Sequence, residues 1–359
     1  MHPGRLCRRF TSMFISVVIP TYNRLPILQK CLLALEAQQL PARAPRQADR
    51  QADPQLAPTA AWQAAPAAAP DAAPAVTAEL ELDFEVVLVD DGSTDATISW
   101  LQANAASLPH VRLVRQEHGG PAAGRNRGVQ HARGDVILFI DSDLVVTPGF
   151  LQAHARQLQR HWRRSGNRLC FTYGAVINTA NFEDPTSEPH KLRDLSWAYF
   201  ATGNVAIDRQ LLVRSGLFDP AFRLYGWEDL ELGERLRRMG VVLLRCPEAV
   251  GYHWHPPLSL EQIPDLIRVE RERARMGLVF YRKHPTRRVR MIIQFTWLHQ
   301  LLWELLTLGG ILNERSLRPL LAWLIRKGKP GLAMELLRLP LNRLGVRALF
   351  AEARAEGLA

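Results

Sequence analysis

The stretch that most constrains this chain is Val136-Ile137-Leu138-Phe139-Ile140-Asp141-Ser142-Asp143. Five apolar residues end abruptly in two carboxylates one residue apart. A short apolar run bounded in this way reads as a strand buried on both faces. Burying an unpaired carboxylate is costly, so Asp141 and Asp143 are expected at the strand's solvent-facing end. In an open α/β sheet that end is where ligands bind. Two carboxylates there suit a hard divalent cation, which prefers oxygen ligands and commonly carries phosphates. A polar turn after a strand is the plainer alternative, and Asp-x-Asp alone does not choose between them.

The segments around this run repeat one pattern. Ile15 to Ile19 is a β-branched strand closed by Pro20. Asn23 is the expected N-cap of a helix that carries Leu25, Leu28, Leu32 and Leu35 and ends near Gln39. Phe84 to Val89 is a second strand, ending in Asp90-Asp91-Gly92-Ser93-Thr94-Asp95, and a helix follows through Leu101. Val111 to Val114 is a third strand. Gly119-Gly120-Pro121 opens a helix bearing Arg125, whose start suits an anion. Strand and helix alternate up to the organising run, which is the pattern of a parallel, doubly wound sheet. Between the first helix and second strand, residues 41–78 are dominated by Ala, Pro and Gln. They have too little apolar bulk to offset the entropy of ordering, so a disordered insertion is expected.

The second half is less regular. Strands are expected at Phe171–Ile177, Ala201–Ile207 and Val241–Leu244. Gly226-Trp227-Glu228-Asp229 opens a helix that stops at Gly240. Gly251 to Pro257 reads as a rigid loop bearing His253 and His255. From about Glu261 the pattern is helical, with breaks at His284-Pro285, Gly309-Gly310 and Lys329-Pro330-Gly331.

Charge bears on the choice of partner. A net charge of +10 favours anionic ligands: nucleotides, nucleic acid or an acidic membrane. No compact basic block interleaved with aromatics is present, which argues against nucleic acid. Cys7, Cys31, Cys170 and Cys246 lack zinc-type spacing and read as reduced thiols of a cytosolic protein. Arg5, Arg8 and Arg9 precede no long apolar region, so no signal peptide is expected. The apolar stretch from Met291 to Leu312 is interrupted by Gln294, His299, Gln300 and Glu304, short of a clean membrane span. Arginines cluster just before it. Peripheral contact with an acidic membrane at its inner face and a plainly packed helical appendage therefore stand as equal expectations.

Two nucleotide-binding signatures are absent. There is no G-x-x-x-x-G-K-[ST], and no G-x-G-x-x-G follows the first strand. The strand-end carboxylates remain as ligand-binding candidates. Val18-Ile19-Pro20-Thr21-Tyr22-Asn23, Val89 to Asp95, Gly124-Arg125-Asn126-Arg127-Gly128 and Asp141-Ser142-Asp143 follow in order. With Glu228-Asp229 and a later His, they resemble a family 2 glycosyltransferase of the GT-A fold, over about Ile15 to His255. Gly-Trp-Glu-Asp resembles the acceptor-side motif of a galactosyltransferase-like branch. The 41–78 insertion departs from the family, as does His118, where Asn is often seen.

The resemblance implies an α/β GT-A fold, with a mostly parallel central sheet flanked by helices. It implies a tail at 1–13, a catalytic domain at 14–258 and a C-terminal helical region at 259–359. Pro20, Thr21, Asn23, Asp90, Asp91, Arg125, Asp141 and Ser142 would bind the donor nucleotide. Asp143 would ligate Mn2+ or Mg2+, with His253 or His255 completing the metal site. Gly203, Asn204 and Trp227 would face the acceptor or sugar. Asp229, with Glu228 beside it, would be the catalytic base. The implied activity is inverting transfer from a nucleotide-diphosphate sugar, UDP-linked by the paired Asp residues, to a glycan or lipid-linked glycan. Plainer roles stand beside these: helix capping for Asp90 and Asp91, dipole compensation for Glu228 and Asp229, core packing for Trp227. A sugar-phosphate nucleotidyltransferase and an inactive binding module are the rival readings. The first lacks its Gly-rich basic loop, since Thr21-Tyr22-Asn23-Arg24 stands in its place.

Overall fold

The first strand, β1 (Ser12–Thr21), sends alternate side chains into two apolar cores. Ile15, Val17 and Ile19 enter one, and Val18 the other. β4 (Val136–Ile140) does the same, with Val136, Leu138 and Ile140 on the first side and Ile137 and Phe139 on the second. Helices cover both faces, so every residue of β4 is buried and the run needs no polar alternation. The computed structural model describes residues 12–40, 80–189 and 198–358. The 41–78 insertion, expected to be disordered, lies outside the described residues.

The remaining strands are β2 (Glu81–Asp90), β3 (Val111–Arg115), β5 (Leu144–Val146), β6 (Cys170–Thr179), β7 (Asn204–Asp208) and β8 (Val242–Trp254). They form one sheet in the order β3-β2-β1-β4-β7-β6-β8-β5. The first four are parallel. Beyond β4 the sheet is mixed: β7 runs antiparallel to β4 and β6, and β5 antiparallel to β8. Strand order reverses between β1 and β4, so the crevice outside their carboxyl ends is the expected ligand site. One face carries α1 (Leu25–Glu36) and α4 (Phe150–Ser165). The other carries α3 (Gly120–His131), α5 (Arg209–Arg214) and α6 (Glu228–Arg238), while the short α2 (Thr97–Ala103) follows β2.

Two local expectations are corrected. Asn23 does not cap α1. It adopts a φ of 51°, and Asp95 instead accepts the Leu25 amide at 3.2 Å. Residues 251–254 are not loop but the end of β8, because Leu144–Val146 directly after the Asp-Ser-Asp turn offers them a pairing edge.

The C-terminal region is helical, with α7 (Ile263–Lys283), α8 (Arg287–Ile292), α9 (Trp297–Leu306), α10 (Glu314–Arg326) and α11 (Pro330–Ala355). The expected breaks fall at helix ends: His284 closes α7, Gly309 turns at a φ of 66°, and Lys329 precedes α11. These helices share a core with the segment that leads into α6. Phe222, Leu224, Trp227 and Leu230 pack with Leu278, Phe280, Val289 and Leu349. No helix among the described residues is long and apolar enough to cross a membrane.

Candidate active site

β4 and β5 hold the two carboxylates of the organising run at the crevice. The antiparallel pairing of β5 with β8 sets His253 opposite Leu144. That register brings His253 Nε2 to 2.9 Å from Asp143 Oδ1. One ligand atom each from Asp141, Asp143 and His253 lie within 4.8 Å of one another. Two hard oxygens and one imidazole nitrogen are a donor set that fits Mn2+ or Mg2+, the nitrogen favouring Mn2+. Arg24, just before α1, donates to Asp143 Oδ2. Burial pushes the Asp143 carboxyl up, but the His253 hydrogen bond and the His253 and Arg24 charges outweigh it and hold the group below the usual range. His255 stands outside the cluster. Its ring lies 4.2 Å from that of His253, its Nε2 meets Asn178 Oδ1 at 3.1 Å, and burial and the His253 charge depress it to about 4.

At the β1–β2 end of the crevice, Thr21 and Asp90 are register partners at the ends of β1 and β2. Thr21 Oγ1 and Asp90 Oδ2 are buried without a hydrogen-bond partner. A polar atom in that state is costly unless something else satisfies it. Asp91 is already committed. Its carboxylate accepts from Gly119 N and Gly120 N, both at 2.9 Å, and from Gln116 Nε2 at 2.6 Å. The anion at the start of α3 is therefore the protein's own. Asn23 is committed too: its Oδ1 accepts from Thr94 N at 2.7 Å and Asp95 N at 3.1 Å, tying two crevice loops together. Pro20 sits in β1 just before Thr21, and Ser142 is buried between the two carboxylates.

Across the crevice, Gly226 at a φ of 105° and Trp227 at 75° turn the chain sharply into α6. A tryptophan there is uncommon, and such backbone persists only where its surroundings hold it. The hold is visible: the indole N–H donates to the Arg273 carbonyl at 2.8 Å, and the Arg273 guanidinium lies 5.0 Å from the ring. Trp227 thus packs against α7. The turn delivers Glu228 and Asp229 to the crevice. Arg125 is buried between them and Asp141, donating to Glu228 Oε1 at 2.8 Å and to Asp141 Oδ1 at 3.2 Å. Asp229 keeps one hydrogen bond, from Leu230 N at 2.7 Å. Burial and the Glu228 charge, opposed by Arg125, push its carboxyl up to about 7. Gly203 lies against Asp141. Asn204 does not face the crevice: it is fully buried, donates to Ala175 O and Ala249 O, and meets His154 Nε2 at 2.8 Å.

A family model for glycosyl transferase family 2 matches residues 69–213. The uncharacterized glycosyltransferase YfnE of Bacillus subtilis is 24% identical over 240 residues, 52% of this chain and 61% of YfnE. The validoxylamine A glucosyltransferase of Streptomyces hygroscopicus subsp. jinggangensis is 26% identical over 308 residues, 76% of this chain and 61% of that one.

Over residues 69–213 the chain is similar to glycosyl transferase family 2.

The hyaluronan synthase of Pasteurella multocida is 26% identical over 219 residues, 51% of this chain and 22% of the synthase. The chain thus spans less than two thirds of each of these relatives. The mannosyltransferase PcManGT from Pyrobaculum calidifontis has the same fold, with a TM-score of 0.54 at 18% identity, covering 96% of this chain and 88% of that one. The family-model match takes in Asp90, Asp91, Arg125, Asp141 and Asp143. β1, α6 and His253 fall outside it and are joined to it by the sheet and by Arg125. Arg24 was missed on sequence, although its position directly after Asn23 marks it as a charge at a strand end.

Proposed function

We propose that the chain transfers a sugar, with inversion, from a nucleotide-diphosphate sugar to a hydroxyl of a glycan or lipid-linked glycan. The observation that carries this is Arg125, which joins the Asp141-Asp143-His253 cluster to the Glu228-Asp229 turn, so that donor and acceptor chemistry share one crevice. Asp141, Asp143 and His253 would hold a divalent cation, and PcManGT was solved with GDP-Man and Mn2+. When bound, such an ion neutralises charge on a departing diphosphate. Thr21 and the Asp90 oxygen that lacks a hydrogen-bond partner, with the Arg115 guanidinium 3.9 Å away, bind the nucleoside. A carboxylate accepts from a base N–H, and uracil N3 supplies one. Glu228 is engaged by Arg125, which leaves Asp229 as the base. Poised near 7, it accepts the acceptor hydroxyl's proton as that oxygen attacks the anomeric carbon opposite the leaving diphosphate. No covalent intermediate is needed. Peripheral contact of the C-terminal helices with an acidic membrane belongs to the same reading, since a lipid-linked acceptor is met there. UDP release with a panel of acceptors, with and without manganese, tests the proposal. Pyrophosphate release would point to nucleotidyl transfer, and no turnover with any donor would point to a binding module.

A further inference from the structure

α9 is built inside out. Its polar side chains face the protein. Glu304 pairs with Arg343 at 2.9 Å and Arg347 at 3.6 Å, both on α11, and the Trp303 indole donates to Gln294 Oε1 at 2.6 Å. Its apolar side chains face outward. Trp297, Leu298, Leu301, Leu302, Leu305 and Leu306 are 42–71% exposed, and no residue of the helix is buried. The four-residue spacing sets them on one side of the helix as two adjacent rows. Leu308 and Ile311, 59% and 70% exposed, extend the stripe past the helix end. A helix that lies on a globular core in water turns its leucines inward and its glutamate outward. A contiguous apolar patch of this kind marks a surface that is covered in use.

We propose that this face is a membrane-binding surface, and that α9 lies in the plane of an anionic bilayer with its stripe at the headgroup–acyl boundary. Ten residues make a rod of roughly 15 Å, too short to cross a bilayer but suited to lie in its surface. Exposed Arg287 precedes the helix, and exposed Arg315 and Arg318 follow it, so the stripe is flanked in the chain by positive charge that suits acidic headgroups. Trp297 opens the helix, and tryptophan favours the interface between lipid and water. The inference rests on the peripheral-contact reading, which it deepens by naming the surface, and it is independent of the transfer chemistry.

Flotation of the full chain with zwitterionic vesicles and with vesicles rich in phosphatidylglycerol tests it, using L301Q/L305Q and, as control, L332Q at an exposed leucine on α11. Wild type and L332Q are expected to float with the anionic vesicles and not with the zwitterionic ones. L301Q/L305Q is expected to bind at least about tenfold more weakly, with an unchanged circular dichroism spectrum and unchanged UDP release from a UDP-sugar donor with soluble acceptors. If L301Q/L305Q floats like wild type, the α9 surface is wrong while peripheral contact survives. If wild type floats with neither vesicle, both fall. A wild-type dimer that L301Q/L305Q dissolves, with no vesicle binding, would assign the face to a second copy and overturn the proposal.

Discussion

Asp229 carries the sharpest residue-scale consequences. A base raised to about 7 must lose its proton to work, so kcat/KM is expected to climb with pH up to about 7 and level off above it. A flat profile between pH 5 and 8 would contradict the assignment. Asp229→Asn should lower turnover by roughly 10²–10⁴ while leaving nucleotide affinity in place. The same group affects stability with the opposite sign. Its folded pKa lies above the unfolded value, so its contribution is full below about pH 4 and is lost as pH rises through about 7. Asn cannot ionise. The variant should therefore be more stable than wild type at pH 8, by about 1–3 kcal/mol, with the gap closing towards pH 4 in thermal unfolding scans. A second test concerns Arg24, whose guanidinium pairs with the carboxylate proposed to hold the cation. Arg24→Gln is expected to tighten Mn2+ binding by calorimetry, and His253→Ala to weaken it. Unchanged affinity in both would remove the cluster from metal binding. Asp141, Asp143 and Asp229 were legible because each sits at a local boundary between apolar strand or turn and helix. The commitments of Asp91, Asn23 and Asn204 were not, because partners some 25 to 70 residues away in the chain consume them.

Among the elements, the β5–β8 pair decides whether His253 reaches the carboxylates. Neither the short β5 nor its pairing was expected, because three apolar residues after a turn carry no periodicity to read. The cost was a loop assigned where β8 ends. The strands from β1 to β4 were legible for the opposite reason: each is rich in apolar, mostly β-branched residues and is closed by turn residues. At Gly251, opposite Val146, a Cβ would stand 2.6 Å from Leu144 Cδ2. Gly251→Val should push β5 away from β8, displace His253 and weaken Mn2+ binding, while nucleotide binding at Thr21 and Asp90 persists. Calorimetry with each ligand separately checks this, and equal loss of both would mean that the whole sheet has failed instead.

At the scale of the molecule, the C-terminal helices are more than an added cap. They complete the core behind the Gly226-Trp227 turn through Phe222, Leu224, Trp227 and Leu230. Their helical breaks could be read from Gly and Pro, but their packing partner could not, because it lies in a segment some 40 to 130 residues earlier. A chain ending at residue 258 should consequently lose the Trp227 turn and with it transfer, even where the sheet still binds nucleotide. A truncated chain with full turnover would contradict that dependence. The central claim, metal-assisted inverting transfer in the crevice that Arg125 spans, is tested most directly by the anomeric configuration of the product. Full-length protein with manganese, a panel of UDP-sugars and glycan acceptors should give, by proton NMR, a glycoside of configuration opposite to the donor's. A glycoside that retains the donor's configuration would contradict the account.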